Sequence, residues 1–292
     1  MSKKLVITAD DFGITKETNE AIKKCFCDGL LTSTCIMANG KAFEHAIEIL
    51  PDFKEINMGV HLNIIEGISL LSPQKISCLC DKEGHYNNGF AALLSKSSDK
   101  RFLQEVETDF RSQIEKILNH TKVSHINSHV HTHAIPKIFE ITCKLAKEYG
   151  IKYVRTQTEM PYIIPSIKKH LRPEYPINLI KTILLGAFST INLQTLKEYE
   201  LLTNDYFIGI SYTGNMDENA LKYGLKTIKK EAVVEAILHP TIDENKKDNY
   251  QEFLSFMNPV LKEDIQKAEW ELTNYGEILQ VNNKIDTVLL KI

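Results

Sequence analysis

The chain has 292 residues, 35 Lys and Arg against 38 Asp and Glu, a formal net charge of −3 and 43% hydrophobic residues. That is enough apolar material for a full core, which argues against disorder, and the length suits one large α/β domain or two small ones. Charges of both signs are dispersed and no basic block stands out, so a nucleic-acid partner is not expected.

The N-terminal apolar run is too short for a signal peptide and stops at Asp10-Asp11. Leu179–Ile191 is apolar, but it is short for a membrane span and Lys181 interrupts it. A cytoplasmic protein with reduced thiols is expected. Cys25, Cys35 and Cys143 read as small buried hydrophobes. Cys78 and Cys80 form a C-x-C pair too narrow for a usual zinc knuckle, and they have no assigned role.

In chain order, Lys4–Ala9 reads as a buried strand ending at two carboxylates. Thr15 caps a helix over about Lys16–Cys27, with Gly29 at its C′ position. A strand at Leu31–Met37, a helix at about Ala42–Leu50 and a strand at Asn57–Asn63 follow, the last carrying His61. The stretch Glu66–Lys100 reads as a long loop, and loops of that length are often functional. Phe102, Val106, Phe110, Ile114, Ile117 and Leu118 recur at three- and four-residue steps, as on one face of an amphipathic helix. Val123–Asn127 is a strand. Pro136 opens a helix running to Tyr149, with Gly150 behind it, and Ile151–Val154 is a strand ending at Arg155. Pro161–Pro176 reads as an irregular excursion. Helices are expected at Ile177–Phe188, Leu193–Leu202 and Glu218–Lys229, with strands at Phe207–Ile210 and Ala232–Leu238. One or two helices close the chain around Tyr250–Trp270.

This alternation implies a parallel sheet with crossover helices. The leading fold is a closed or distorted β/α barrel, and an open doubly wound sheet stands second. Either gathers ligands at the C-terminal ends of its strands. Asp10, Asp11, His61, His129, Arg155 and His239 all lie at or just after such ends, so they are expected to share one site.

The densest signal is S-H-I-N-S-H-V-H-T-H at Ser124–His133, with four of the chain's ten histidines. In an extended strand His125, His129, His131 and His133 would face one way. Imidazole is the commonest metal ligand, and short His-rich tracts tend to bind metal; the alternative is an exposed His-rich edge or loop. Asp10 and Asp11 can diverge, one toward a metal and one toward substrate, or simply make a turn. His61 alone would read as a core residue; with a carboxylate and the histidine row it completes a two-His, one-Asp set that leaves coordination positions open. Periodicity does not decide which histidine of the row binds. The others are left to support the ligands from behind or to touch substrate. His239 can protonate a leaving amine or merely end its strand. Arg155 can orient Asp10, clamp an anion or form a surface ion pair.

A-D-D-F-G at Ala9–Gly13, Asn19 followed by G-L-L-T-S-T, G-V-H-L-N around His61 and H-I-N-S-H-V-H-T-H together resemble the YdjC family, which includes the ChbG and HpnK types of carbohydrate deacetylase. The resemblance covers about residues 4 to 155 and returns at Leu238-His239-Pro240. It implies a single distorted β/α-barrel domain over residues 1–292, related to polysaccharide deacetylases, with insertions at about 66–100 and 156–176. It implies a divalent metal, Mg²⁺ by family, often a homodimer, and removal of an N-acetyl group from an amino sugar; two imidazoles and a carboxylate by themselves would prefer Zn²⁺. By the same resemblance Asp11, His61 and His129 match the metal ligands, Asp10 the base and His239 the acid. Asn127 stands where many chitobiose-type members have Asp; it cannot act as a base. Arg155 with Glu159 resembles the hopanoid-associated type. Rival readings are another amide or ester hydrolase on the same barrel, or a non-catalytic carbohydrate binder.

Overall fold

The computed structural model describes residues 2–53, 57–165, 167–170 and 175–280. The first half runs β1 (Lys3–Phe12), α1 (Lys16–Cys27), β2 (Ser33–Ile36), α2 (Phe43–Ile49), β3 (Asn57–Leu62), α3 (Phe90–Lys96), α4 (Lys100–Leu118) and β4 (His125–Ser128). The second half runs α5 (Pro136–Glu148), β5 (Tyr153–Val154), α6 (Ile167–His170), α7 (Tyr175–Tyr199), β6 (Tyr206–Ile208), α8 (Glu218–Lys226), β7 (Val233–Leu238), α9 (Lys247–Met257), α10 (Pro259–Lys267) and β8 (Trp270–Leu272).

The strands form one eight-stranded sheet in the order β5-β4-β3-β2-β1-β7-β6, with β8 paired to the start of β1. Every pairing is parallel. Irregular backbone bridges the outer strands. Tyr153 pairs with Leu202, and the Phe207 N–H donates to Thr158 O at 2.9 Å. The Asn204 amide bonds the Thr156 N–H at 3.1 Å and its C=O at 2.9 Å. The sheet is therefore a distorted β/α barrel, the leading fold expected from the alternation.

Local chemistry explains most elements. Thr15 caps α1 by accepting from the Thr18 N–H at 3.1 Å. The periodic face of α4 is buried at Phe102, Val106, Phe110, Ile114 and Ile117. Pro136 starts α5, and Gly150 follows it at φ 71°, a left-handed end that suits glycine. Gly29 differs: its φ is not positive, but an added Cβ would lie 2.7 Å from the carbonyls of Cys25 and Phe256.

Several expectations are corrected. The two helices at Ile177–Phe188 and Leu193–Leu202 are one, α7. The polar residues that read as a break are anchors on its buried face. Ser189 bonds back to Leu185 O and accepts from Gln157 N–H, while Asn192 donates to Ala134 O. By length and composition alone α7 is also apolar enough to cross a membrane, although Leu179–Ile191 by itself is too short. The stretch 66–100 is not structureless. It contains α3 and two short antiparallel bridges, and it buries Ile76, Leu79 and Leu93 between its turns. The Pro161–Pro176 excursion holds α6, and Pro176 falls in the first turn of α7, where a missing N–H costs nothing. Residues 166 and 171–174 of that excursion, and 281–292 at the chain's end, lie outside the described residues. Trp270 does not end a helix but begins β8.

Candidate metal centre and active-site cleft

Asp10 and Asp11 do not follow β1; they form a bulge inside it. Ala9 pairs with Thr34 and Phe12 with Ile36, so β1 carries one extra residue there. Asp11 takes up the excess with φ 67°, a left-handed conformation that aspartate tolerates better than most residues. The bulge breaks the strict alternation and turns the two neighbouring carboxylates toward different partners. Asn19 steadies the turn behind them, accepting from the Gly13 N–H at 2.7 Å.

His61 lies on β3 directly beside Asn127 on β4, since the two are register partners. The Asn127 amide is oriented by its surroundings: its NH₂ donates to Asp10 Oδ1 at 2.9 Å, so its oxygen faces His61 Nδ1 at 2.6 Å. An amide oxygen only accepts, which places the ring proton on Nδ1. His61 Nε2 is then a bare lone pair. It is buried, has no hydrogen-bond partner among the described residues, and stands 3.1 Å from Asp11 Oδ1. Two electron-rich atoms facing one another in a buried site call for a cation between them.

The histidine row does not keep to one face. β4 ends at Ser128, and Val130 and His131 both adopt left-handed backbone, at φ 52° and φ 57°. Alternation needs extended backbone, so the four rings part company. His125 points into the barrel, with its Nε2 3.1 Å from Cys35 Sγ and 3.2 Å from Ser33 Oγ, and packs on Tyr275. Gly59 leaves room for it, because a Cβ there would sit 2.4 Å from His125 Nε2. His133 donates through Nε2 to Arg155 O at 3.0 Å and meets the Ser128 hydroxyl at Nδ1. His131 sits edge-on to Phe207 and lines the cleft. Burial holds His125 down to about 4 and His133 to about 3, so both are neutral structural rings. The Cys35 thiol is buried as expected, yet among polar groups rather than hydrophobes: Asn127 Nδ2 lies 3.0 Å from its Sγ.

Only His129 of the row joins His61 and Asp11. One ligand atom from each of Asp11, His61 and His129 lies within 4.8 Å of the others, and these residues can hold a metal ion. His129 Nδ1 is 2.9 Å from Asp11 Oδ1, and its Nε2 is 3.2 Å from Glu66 Oε2. Burial alone would lower the His129 pKa, but the two carboxylates raise it to about 10. Burial pushes the Asp11 carboxyl up, yet His129, by charge and hydrogen bond, holds it well below the usual range.

Behind this cluster lies a buried ionic core. Arg155 donates to both oxygens of Asp10, at 2.6 and 2.9 Å, and to both of Glu235, at 3.0 and 2.7 Å. The Tyr275 hydroxyl donates to Glu235 at 2.7 Å. Of the three readings for Arg155, the orienting one fits; the guanidinium is 2% exposed and is no surface pair. Burial would raise Asp10, but Arg155 keeps it ionised, far below an ordinary aspartate. Glu159 is used differently: its carboxylate accepts the N–H groups of Gly209, Ile210 and Ser211 at the end of β6. His239 follows β7, its N–H held by Glu252 at 2.6 Å and its C=O by Asn249 at 2.7 Å.

Asp10, Asp11, His61, His129, His131 and His239 line one cavity of about 310 Å³, walled by Phe90, Val130, Leu184, Leu185 and Ile210. Asn127, His125, His133 and Arg155 stand behind it. Sequence reasoning missed Glu66, Glu235 and Tyr275. Glu235 left a signal, a lone acid inside V-V-E-A-I-L. Glu66 left none, since a loop carries no periodicity. Cys80 carries part of the 66–100 stretch into the core and Cys78 donates its N–H to Glu105, so the pair belongs to packing; all six cysteines are unpaired.

A family model described as YdjC-like protein matches residues 4–271. A carbohydrate deacetylase of Clostridium beijerinckii is 34% identical over 149 residues, 51% of this chain and 58% of that protein. One of Listeria monocytogenes is 29% identical over 275 residues, 93% of this chain and 94% of that protein. The matched stretches take in 50 to 64% of the length of the first curated relatives. A crystal structure from Enterococcus faecalis V583, provisionally described as a cellobiose-phosphate cleavage protein, aligns with TM-score 0.73 at 21% identity, covering 95% of this chain and 99% of that one. At that identity the likeness speaks for the fold.

Proposed function

The chain belongs to the YdjC family, and from that premise we propose that it is a metal-dependent hydrolase that removes an N-acetyl group from an amino sugar and releases acetate. The observation that carries the reading is the unpartnered His61 Nε2 facing Asp11 and His129 at the floor of the cleft. Asp11, His61 and His129 would hold the cation, which when bound supplies a Lewis acid and acidifies water. The family resemblance points to Mg²⁺; two imidazoles and a carboxylate rank Zn²⁺ higher by intrinsic affinity.

The remaining steps belong to the chain's own residues. Asp10 accepts the proton of the attacking water at its carboxylate. Because Arg155 makes it a weak base, it serves only toward a water that is already acidic, and Arg155 keeps it ionised and aimed. His239, at the end of the neighbouring strand β7, gives a proton to the departing amine. Asn127 holds the His61 tautomer. His131 lines the cleft for the sugar, while the apolar wall accepts the acetyl methyl and the apolar face of the ring.

The same reading places the protein in the cytoplasm, consistent with six unpaired thiols, as a homodimer whose exposed apolar face on α7 carries Ile177, Ile180, Ile183 and Ile191. It also treats the chain as one catalytic domain. The test is acetate release from N-acetylated sugars, with and without chelator, together with metal analysis of protein purified without added ions. Turnover that survives complete metal removal would sink the proposal, as would full turnover in Asp10→Asn for the base.

A further inference from the structure

Glu66 is a fourth polar side chain at the cation site, and its placement is unusually well determined for a loop residue. Its N–H donates to Asn63 Oδ1 at 3.1 Å, and its C=O accepts from Asn63 Nδ2 at 2.7 Å and from Asn39 Nδ2 at 3.1 Å. Asn63 is itself buried and clamped. Its N–H donates to Gln113 Oε1 at 2.9 Å, and its C=O accepts from Gln113 Nε2 at 2.7 Å. The backbone of Glu66 is thus tied through Asn63 to α4, although its side chain is 61% exposed. An exposed glutamate normally samples many rotamers; this one starts from a fixed backbone and reaches His129 Nε2 at 3.2 Å.

We infer that Glu66 is a positioning residue that fixes the tautomer and ring plane of His129, presenting His129 Nδ1 to the cation. This rests on the metal reading of Asp11, His61 and His129. An imidazole that offers one nitrogen as a lone pair carries its proton on the other, and that N–H needs an acceptor. Asp11 lies at His129 Nδ1 and Glu66 at Nε2, on opposite edges of the ring. His61 is arranged the other way round: Asn127 Oδ1 takes its Nδ1–H and leaves Nε2 for the site. The two ligands therefore have different acceptors behind them, a neutral amide for His61 and a carboxylate for His129. A carboxylate raises ligand basicity more, so the 66–100 loop adds affinity as well as orientation.

The test is titration of metal-free protein with Zn²⁺ and Co²⁺ by calorimetry, alongside the Co²⁺ visible spectrum. Glu66→Ala is expected to weaken binding roughly ten- to a hundredfold. Glu66→Gln, which keeps an acceptor at the same reach, is expected to recover most of that loss. The Co²⁺ band intensity, which reports coordination number, should match wild type in Glu66→Gln. Wild-type affinity in Glu66→Ala, measured beside a His61→Ala variant that no longer binds, would overturn the inference and leave the metal site standing. A changed Co²⁺ spectrum in Glu66→Gln would also overturn it, since the carboxylate would then be a ligand. Unchanged affinity in His61→Ala would instead remove the metal reading itself.

Discussion

Inside the barrel, Arg155 spans Asp10 and Glu235, Tyr275 closes on Glu235, and Asn127 closes on Asp10. A few ångströms away, toward solvent, Asp11, His61 and His129 crowd together with a lone pair facing a carboxylate. Both clusters are buried or nearly so, but the first reaches into the middle of β7 at Glu235 while the second sits at the strand ends. They differ in satisfaction. A fully hydrogen-bonded polar cluster locks a shape, whereas one with a buried unpaired atom is waiting for a ligand. Breaking the first should therefore cost stability, and filling the second should add it.

Arg155→Met attacks the satisfied cluster. It leaves Asp10 and Glu235 as buried charges without a counterion, so a loss of about 3–5 kcal/mol is expected in urea unfolding. A loss under about 1 kcal/mol would show that the ionic core is not holding the barrel. Asp109 offers an intermediate case. Tyr86 and Gln113 both donate to its Oδ2, while Oδ1 has no partner among the described residues. Burial outweighs those bonds and pushes its carboxyl up to about 6 from 3.8. A raised folded pKa means that its contribution is complete below about pH 4 and is lost as pH rises through 6. At about 1.4 kcal/mol per unit, the wild type should lose roughly 3 kcal/mol across that window relative to Asp109→Asn, and nothing more above it. Unfolding curves at pH 4, 6 and 8 decide this; a constant gap between the two proteins refutes it.

The unsatisfied cluster predicts a gain. Zn²⁺ at a hundred times its dissociation constant should stabilise the wild type by about 2.7 kcal/mol. The same addition should do nothing for His61→Ala, whose missing ring takes the unpaired Nε2 with it. Equal stabilisation of both proteins would place the ion elsewhere.

The satisfied cluster and the open one were unequally legible in the sequence. The meeting of Asp11, His61 and His129 followed from strand–helix alternation, which sends side chains at strand ends to one mouth whatever their separation along the chain. Thr15 and the α4 face were readable because capping and helical periodicity are local. Glu235 was visible only as a charge out of place in an apolar strand, and its partner, Arg155, lies 80 residues away. Glu66 was invisible, because its position depends on two asparagine side chains and a helix rather than on any pattern around it. The histidine row misleads for a definite reason: alternation holds only in extended backbone, and Val130 and His131 are left-handed.

That kink also gives the smallest effect. A β-branched residue at φ 52° and ψ 23° is strained by about 1–3 kcal/mol. Ser128 and His133 hold it there: the His133 N–H donates to Ser128 Oγ at 2.8 Å, and His133 Nε2 is anchored on Arg155 O. The turn thus hangs from the satisfied cluster and swings His129 into the open one. Val130→Gly relieves the strain but enlarges the unfolded ensemble by about 0.5–1 kcal/mol. The two terms oppose each other, so thermal unfolding should show a change between about 0 and 2.5 kcal/mol, on the stabilising side. A clear destabilisation would mean that the valine side chain, at the cleft wall, contributes more through packing than its backbone loses through strain.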